Sequence, residues 1–228
     1  MKKFIIPVLF LFFAWQANAQ YSLLSEKINL KDHPSFGQNR LHYMHFFMSY
    51  AMMFDADKDV SNDYCVWGSN NFELGLRYKL KFCQYNALGI QASYNYYRFR
   101  AMDQLIFREY HAQKLYLNTF SVAIFDRFNF YKRRGDFLGT FLDLGVYYDY
   151  NFSIDRSFEL KPAANGEIQT IRYSKIDYIE KNNYGFLVQF GINRYVIFGK
   201  YRISNLTKDK TLFKEMPRIT AGVQIGLF

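Results

Sequence analysis

Apolar and polar residues alternate with a period of two along much of this chain. Between positions 72 and 82, Phe72, Leu74, Leu76, Tyr78, Leu80 and Phe82 interleave with Glu73, Gly75, Arg77, Lys79 and Lys81. An extended strand sends successive side chains to opposite faces, so this spacing gives one apolar and one polar face. A helix would spread the charges around its circumference. From 138 to 152 the rhythm recurs: Leu138, Leu142, Leu144, Val146, Tyr148, Tyr150 and Phe152 against Gly139, Asp143, Gly145, Asp149 and Asn151. It returns at the end, where Ile219, Ala221, Val223, Ile225 and Leu227 alternate with Arg218, Thr220, Gly222, Gln224 and Gly226.

Read this way, the chain predicts eight strands at 41–54, 71–83, 87–99, 114–130, 137–153, 176–192, 195–205 and 217–228. The links between them alternate in length. Those after the second, fourth and sixth strands are short (84–86, 131–136, 193–194), and those after the others are long (55–70, 100–113, 154–175, 206–216). An even number of strands with alternating short and long links is the pattern of an up-and-down membrane barrel, with both termini at the short-turn, periplasmic end.

A soluble barrel of the lipocalin type would alternate too, with its apolar face turned inward. Two features favour the membrane version, with the apolar face outward. The polar face carries many charges and glycines, as suits a crowded lumen, and aromatic residues cluster near strand ends at Tyr94, Tyr96, 128–131 and 147–150. Such rings settle at a membrane interface. Composition agrees: 21% of residues are aromatic, while mean hydropathy is only -0.22. After the first twenty residues, no apolar run reaches the ~18 that a spanning helix needs. The expected fold is therefore all-β, an eight-stranded antiparallel up-and-down transmembrane β-barrel.

The first twenty residues read differently. Lys2 and Lys3 precede an apolar run from Phe4 to Trp15, which ends in the small-residue site Ala17, Asn18, Ala19. That is a signal-peptide pattern, with a run too short for an anchor helix. The expected organisation is a signal peptide at 1–19, a periplasmic segment at 20–40 and the barrel at 41–228. Of the 29 basic residues, Lys2 and Lys3 leave with the leader, and the remaining 27 exceed the 20 acidic ones. For an exported chain this balance points to anionic lipid rather than nucleic acid. Cys65 and Cys83 fall at opposite ends of the second strand, about 18 residues at ~3.3 Å apart, and are expected to be unpaired.

The leader, the eight strands, the Tyr and Phe excess, the segment Asp143-Leu144-Gly145-Val146-Tyr147-Tyr148 and the ending Gly226-Leu227-Phe228 together resemble the small outer-membrane barrels of Bacteroidota. These are the porin-family or PorT-like barrels, similar in architecture to OmpA and OmpX. The final aromatic, Phe228, is out of phase with Ile225 and Leu227, unlike the usual assembly signal. The resemblance implies an outer-membrane location and a secretion-linked role.

An eight-stranded barrel has room only for its own side chains. The expected polar lumen comprises Glu73, Arg77, Lys79, Lys81, Asp143, Asp149, Lys200, Arg202 and Arg218, with Gln91, Asn95, Gln189 and Gln224 beside them. Paired, these charges form a plug; with bases in excess, they suggest a narrow anion-preferring channel as an alternative. Catalytic and metal signals are weak. His42 and His45, three apart on a strand, point to opposite faces and cannot share a metal. His111 falls in a loop without an evident nucleophile. Asp55, Asp57, Asp59 and Asp63 alternate, but Val60 and Val66 occupy the glycine and carboxylate positions of a calcium loop. No cofactor and no metal are expected. Within 154–175, Asn165-Gly166 marks a hairpin turn. The flanking Phe158, Leu160, Ile168, Ile171 and Tyr173 would extend two strands above the membrane as a partner contact. The functional expectation is a non-enzymatic outer-membrane barrel that contacts lipid and lipopolysaccharide and serves as a structural or accessory subunit of a larger envelope complex in secretion, barrel assembly or nutrient uptake. A lipid-active outer-membrane enzyme is the third alternative.

Overall fold

A computed structural model describes residues 35–54, 65–101, 110–131, 137–160, 170–174, 176, 178–208 and 215–227. Its strands are β1 (His42–Phe54), β2 (Asn70–Lys81), β3 (Asn86–Ala101), β4 (Tyr110–Asn129), β5 (Thr140–Leu160), β6 (Thr170–Ser174), β7 (Asn182–Ile192), β8 (Tyr195–Arg202) and β9 (Ile219–Leu227). Every pairing between these strands is antiparallel. β1 pairs with β2 and with β9, and a β4–β5 pairing closes the ring. The result is a closed eight-stranded barrel, with β6 attached outside the ring to the far part of β5.

The barrel is built apolar side out. Along β1, Met44, Phe46, Met48 and Tyr50 are exposed, while Tyr43, His45, Phe47 and Ser49 are buried. The same division runs round the wall: Ile90, Ile124, Val146, Phe186 and Val223 point outward, and Gln91, Ala123, Tyr147, Leu187 and Gln224 inward. A lipocalin-like arrangement would have reversed these faces. Tyr147 and Tyr97, which the sequence places among interface aromatics or leaves unassigned, belong to the interior. Leu138 departs from the expected apolar face as well: it precedes β5 and packs inside against Tyr43, Phe141 and Val196.

The strands differ in length, and the difference shapes the molecule. β7 meets β5 only from Thr140 to Tyr150. Beyond that point β4 and β5 continue together as far as the Tyr110–Leu160 pair, and β6 pairs with Asp155 to Glu159 of β5. This wall therefore runs about 10 residues, on the order of 30 Å of strand, past the β5–β7 pairing, while β3 stays paired with β4 as far as Ala101–Gln113. A bulge lies at its base, where Asn118 faces Ser153 but Thr119 faces Asn151, so that Phe152 is the extra residue. A bulge shifts alternation by one. Below it the even positions of β5 face outward; above it Ile154 and Phe158 turn inward, and Asp155 lies on the outer side.

Two expected strands change most at their starts. The sixth expected strand, 176–192, is shorter: β7 starts at Asn182, and Ile179 instead bridges to Thr207 across the barrel mouth. The fourth starts earlier, so that His111 lies on β4 rather than in a loop. At the opposite end the links are tight. Asn193 takes a left-handed conformation (φ 55) in the two-residue β7–β8 turn, and its Oδ1 accepts from the Gly139 N–H at 2.8 Å. Residues 35–40 fold against this end, with the His42 N–H donating to Ser35 O at 2.9 Å. Of the expected 20–40 segment, residues 35–40 therefore belong to the folded barrel end.

Candidate functional site

The interior is stacked in three layers. The central one is polar and charged. Each strand delivers its groups because every second residue points inward, and the register sets Ser49 against Glu73 and Glu73 against Asn95. Glu73 accepts from Gln91 Nε2 (2.9 Å), Ser93 Oγ (2.6 Å), Ser49 Oγ (3.3 Å) and Lys200 Nζ (2.9 Å). Arg77 donates to the side-chain oxygens of Gln91 and Gln189, each at 2.6 Å, and of Gln224 at 3.2 Å. Its other terminal nitrogen lies 3.7 Å from Asp143. Asp143 is held chiefly by Arg127, in a two-pronged contact of 2.7 and 2.8 Å. The Phe125 ring lies close to both guanidiniums, 5.1 Å from Arg77 and 5.7 Å from Arg127, and Phe141 packs 3.6 Å from Arg127.

Burying a charge is costly unless it is paired and hydrogen-bonded. Arg77, Arg127, Glu73, Asp143 and Lys200 are each at most 2% exposed, and each meets that requirement. A fully bonded network rigidifies its surroundings, and losing one member is costly.

Above the centre, on the side of the long links, Tyr97 Oη donates to Asp149 (3.1 Å) and Thr119 Oγ1 to Asn151 (2.6 Å). A cavity of about 30 Å³ lies between this tier and the barrel mouth; it is lined by Asp149, Asn151, Asn183 and Arg202, among others. That is space enough for one or two water molecules, each of which needs about 10–15 Å³. The mouth itself is apolar: Met53, Tyr97, Phe99, Leu115, Leu117, Ile154, Ile179, Leu206 and Met216 form one buried cluster. The segment carrying Leu206 and Met216 is clamped. Arg202 donates to Glu215 (2.9 Å) and to the carbonyls of Met216 (2.8 Å) and Pro217 (3.2 Å), while Glu215 also accepts from the Leu206 N–H (2.9 Å) and Thr207 Oγ1 (3.1 Å). At the turn end, Lys79 Nζ donates to Gln38 O (2.5 Å), and Lys81 Nζ to Asn39 O (3.1 Å) and Oδ1 (2.8 Å).

Of the lumen residues expected from sequence, Glu73, Arg77, Asp143 and Lys200 meet at the centre. Asp149 lies one tier up, and Arg202 acts as the clamp of the mouth. Lys79 and Lys81 hold the N-terminal turn. Arg218 sits at the outer rim, bonded to Asn205 Oδ1 at 2.7 Å. The expected excess of bases along a lumen is thus dispersed to the two ends. Arg127 was missed, because β4 points Leu115, Leu117, Ala123 and Phe125 inward and so hides the polar phase.

Other candidates separate. His42 bonds Tyr78 Oη at 2.7 Å on the outer side, while His45 is buried and stacks on Tyr43. No group of three or more metal-type ligands occurs among the described residues. Cys65 and Cys83 are both free. The aspartates at 55–63 lie outside the described residues.

Of the expected partner surface, Phe158 is buried (7% exposed), with Arg156 4.3 Å over its ring. Arg156 also donates to Tyr178 Oη at 2.7 Å, and burial raises that hydroxyl's pKa above the usual tyrosine range. Ile171 and Tyr173 on β6 are exposed. Leu160 contributes backbone pairing to Tyr110; its side chain, Ile168 and the Asn165-Gly166 turn lie outside the described residues. Compared with protein-family models, curated proteins and solved structures, the chain matches none, so its function has to be argued from the barrel itself.

Proposed function

We propose that this chain is an integral outer-membrane barrel whose interior is sealed, and that it serves as a non-enzymatic structural or accessory subunit of a larger envelope assembly. The observation that carries the reading is the pairing of an apolar outer face with a bonded, ion-paired interior. Water would not favour so many exposed Phe, Ile, Val and Leu side chains on one continuous wall. A bilayer would, and it requires the closed hydrogen-bonding ring that the eight strands make. The PorT-like resemblance of the sequence points the same way and suggests a secretion-linked assembly.

Sealing argues against the channel alternative. An ion crossing the centre would have to displace Arg77 from three glutamine oxygens and then pass the apolar mouth. The projecting β4–β5–β6 wall, with exposed Ile171 and Tyr173, offers a contact surface to a partner outside the bilayer.

Purified protein incorporated into planar bilayers is expected to give no steady conductance. Mild detergent extraction of native membranes is expected to place it in a defined complex larger than the monomer. A stable anion-selective current would replace this reading with the channel; a lone monomer under every mild detergent would remove the subunit role.

A further inference from the structure

Followed toward the long-link end, the outward residues of β3 run Leu88, Ile90, Ala92, Tyr94, Tyr96, Arg98 and Arg100. Those of β4 run Ile124, Val122, Phe120, Asn118, Tyr116 and Lys114 in matching register. Both strands pass from aliphatic to aromatic to cationic over the same height. The Tyr96 and Tyr116 rings stack, with centroids 6.0 Å apart. Arg98 stands directly across from Tyr116, and Arg100 across from Lys114. From β6, Arg172 lies 5.9 Å over the Tyr116 ring. The bulge at Phe152 turns Asp155 to this side, where it pairs with Arg172 at 2.9 Å. Four cations therefore share the strip with one described carboxylate. Trp67, 82% exposed, sits on the turn beside them, and Gly68 packs on the Arg100 stem.

We infer that this strip binds the phosphate of an anionic lipid headgroup in the leaflet on the long-link side, with Arg98 and Arg172 as the principal donors. The inference rests on the membrane reading and locates its lipid partner. Aromatic side chains prefer the headgroup level, and cations just beyond it attract lipid phosphates. Arginine forks suit phosphate oxygens geometrically. A lipid is favoured over a free anion because the strip lies on the outer wall, continuous with the apolar belt, where acyl chains of the same molecule would lie along Ile90, Ile124 and Val146.

The test is native mass spectrometry of the full chain folded in lipid vesicles and then extracted. It is offered bisphosphoryl lipid A and the same lipid without phosphates. Wild type should retain the phosphorylated form preferentially, and R98Q/R172Q should lose retention by about tenfold or more. K181Q/K208Q, which removes two exposed cations elsewhere at this end, should retain it as wild type does. Gel mobility before and after heating verifies that each variant is folded. Equal retention by wild type and R98Q/R172Q overturns the inference, as does indifference to the phosphates. Displacement by inorganic phosphate alone overturns the lipid as occupant. A chain that never enters vesicles refutes the membrane reading itself; one that enters them but ignores the phosphates refutes only this site.

Discussion

Removing the carboxylate of Asp143 should destabilise the barrel more than any other single side-chain truncation at its centre. Asp143 is 0% exposed and Arg127 1%, and they are joined by contacts of 2.7 and 2.8 Å. Charge-assisted bonds of this kind contribute about 1.5–3 kcal/mol each. Breaking a buried pair from one side costs about 3–5 kcal/mol, because the remaining charge stays buried without compensation. D143A also strips Arg77 of its carboxylate neighbour at 3.7 Å, which puts the expected loss in the upper part of that range. Replacing both partners, in R127M/D143L, should come within about 1–2 kcal/mol of wild type, since packed apolar groups replace the pair without leaving a lone ion. Urea unfolding in lipid vesicles, followed by circular dichroism, measures all four corners of the double-mutant cycle. A cost below about 1 kcal/mol for D143A would mean that water reaches Arg127 and that the interior is not sealed.

Further perturbations test the neighbouring layers. An added Cβ at Gly89 would lie 2.1 Å from Phe125 Cζ, so G89A must push the ring that packs on Arg77 and Arg127; urea unfolding should show a loss of about 1–3 kcal/mol. E215A removes the acceptor shared by Arg202, Leu206 and Thr207, and limited proteolysis of intact vesicles should then cut within 203–218 faster than in wild type. Deleting Phe152 removes the bulge, which would turn Ile154, Arg156 and Phe158 outward. Crosslinking between positions 156 and 178, readily formed when cysteines replace Arg156 and Tyr178, should be lost. E73A leaves Lys200 buried without its carboxylate and should cost about 3 kcal/mol or more in the same unfolding assay.

The barrel was legible because its signal is repeated. A period of two, held over many strands with one face apolar, leaves little choice of fold, and the alternation of short and long links supplies the topology. The central charges Glu73, Arg77, Asp143 and Lys200 were legible for the same reason, each falling on the polar phase of an alternating strand. Arg127 was not, because Phe125 and Ala123 share its face and Asp126 occupies the other. The apolar mouth was hidden more deeply. Its members Ile179, Leu206 and Met216 come from links, where no periodicity announces an inward turn. Phe158 was expected on an exposed hairpin and is buried; the bulge at Phe152, which inverts the face beyond it, leaves no mark in a single sequence.

The claim beneath all of this is that the outer wall touches lipid. Nitroxide labels placed singly at Leu144, Val146, Tyr148 and Phe186, in protein reconstituted into vesicles, report contact with dissolved oxygen against contact with a water-soluble nickel chelate. All four positions are exposed on the wall. High oxygen and low chelate accessibility at these sites is the predicted result. Free access of the chelate to Val146 and Phe186 would mean that the wall faces water, and would contradict the account.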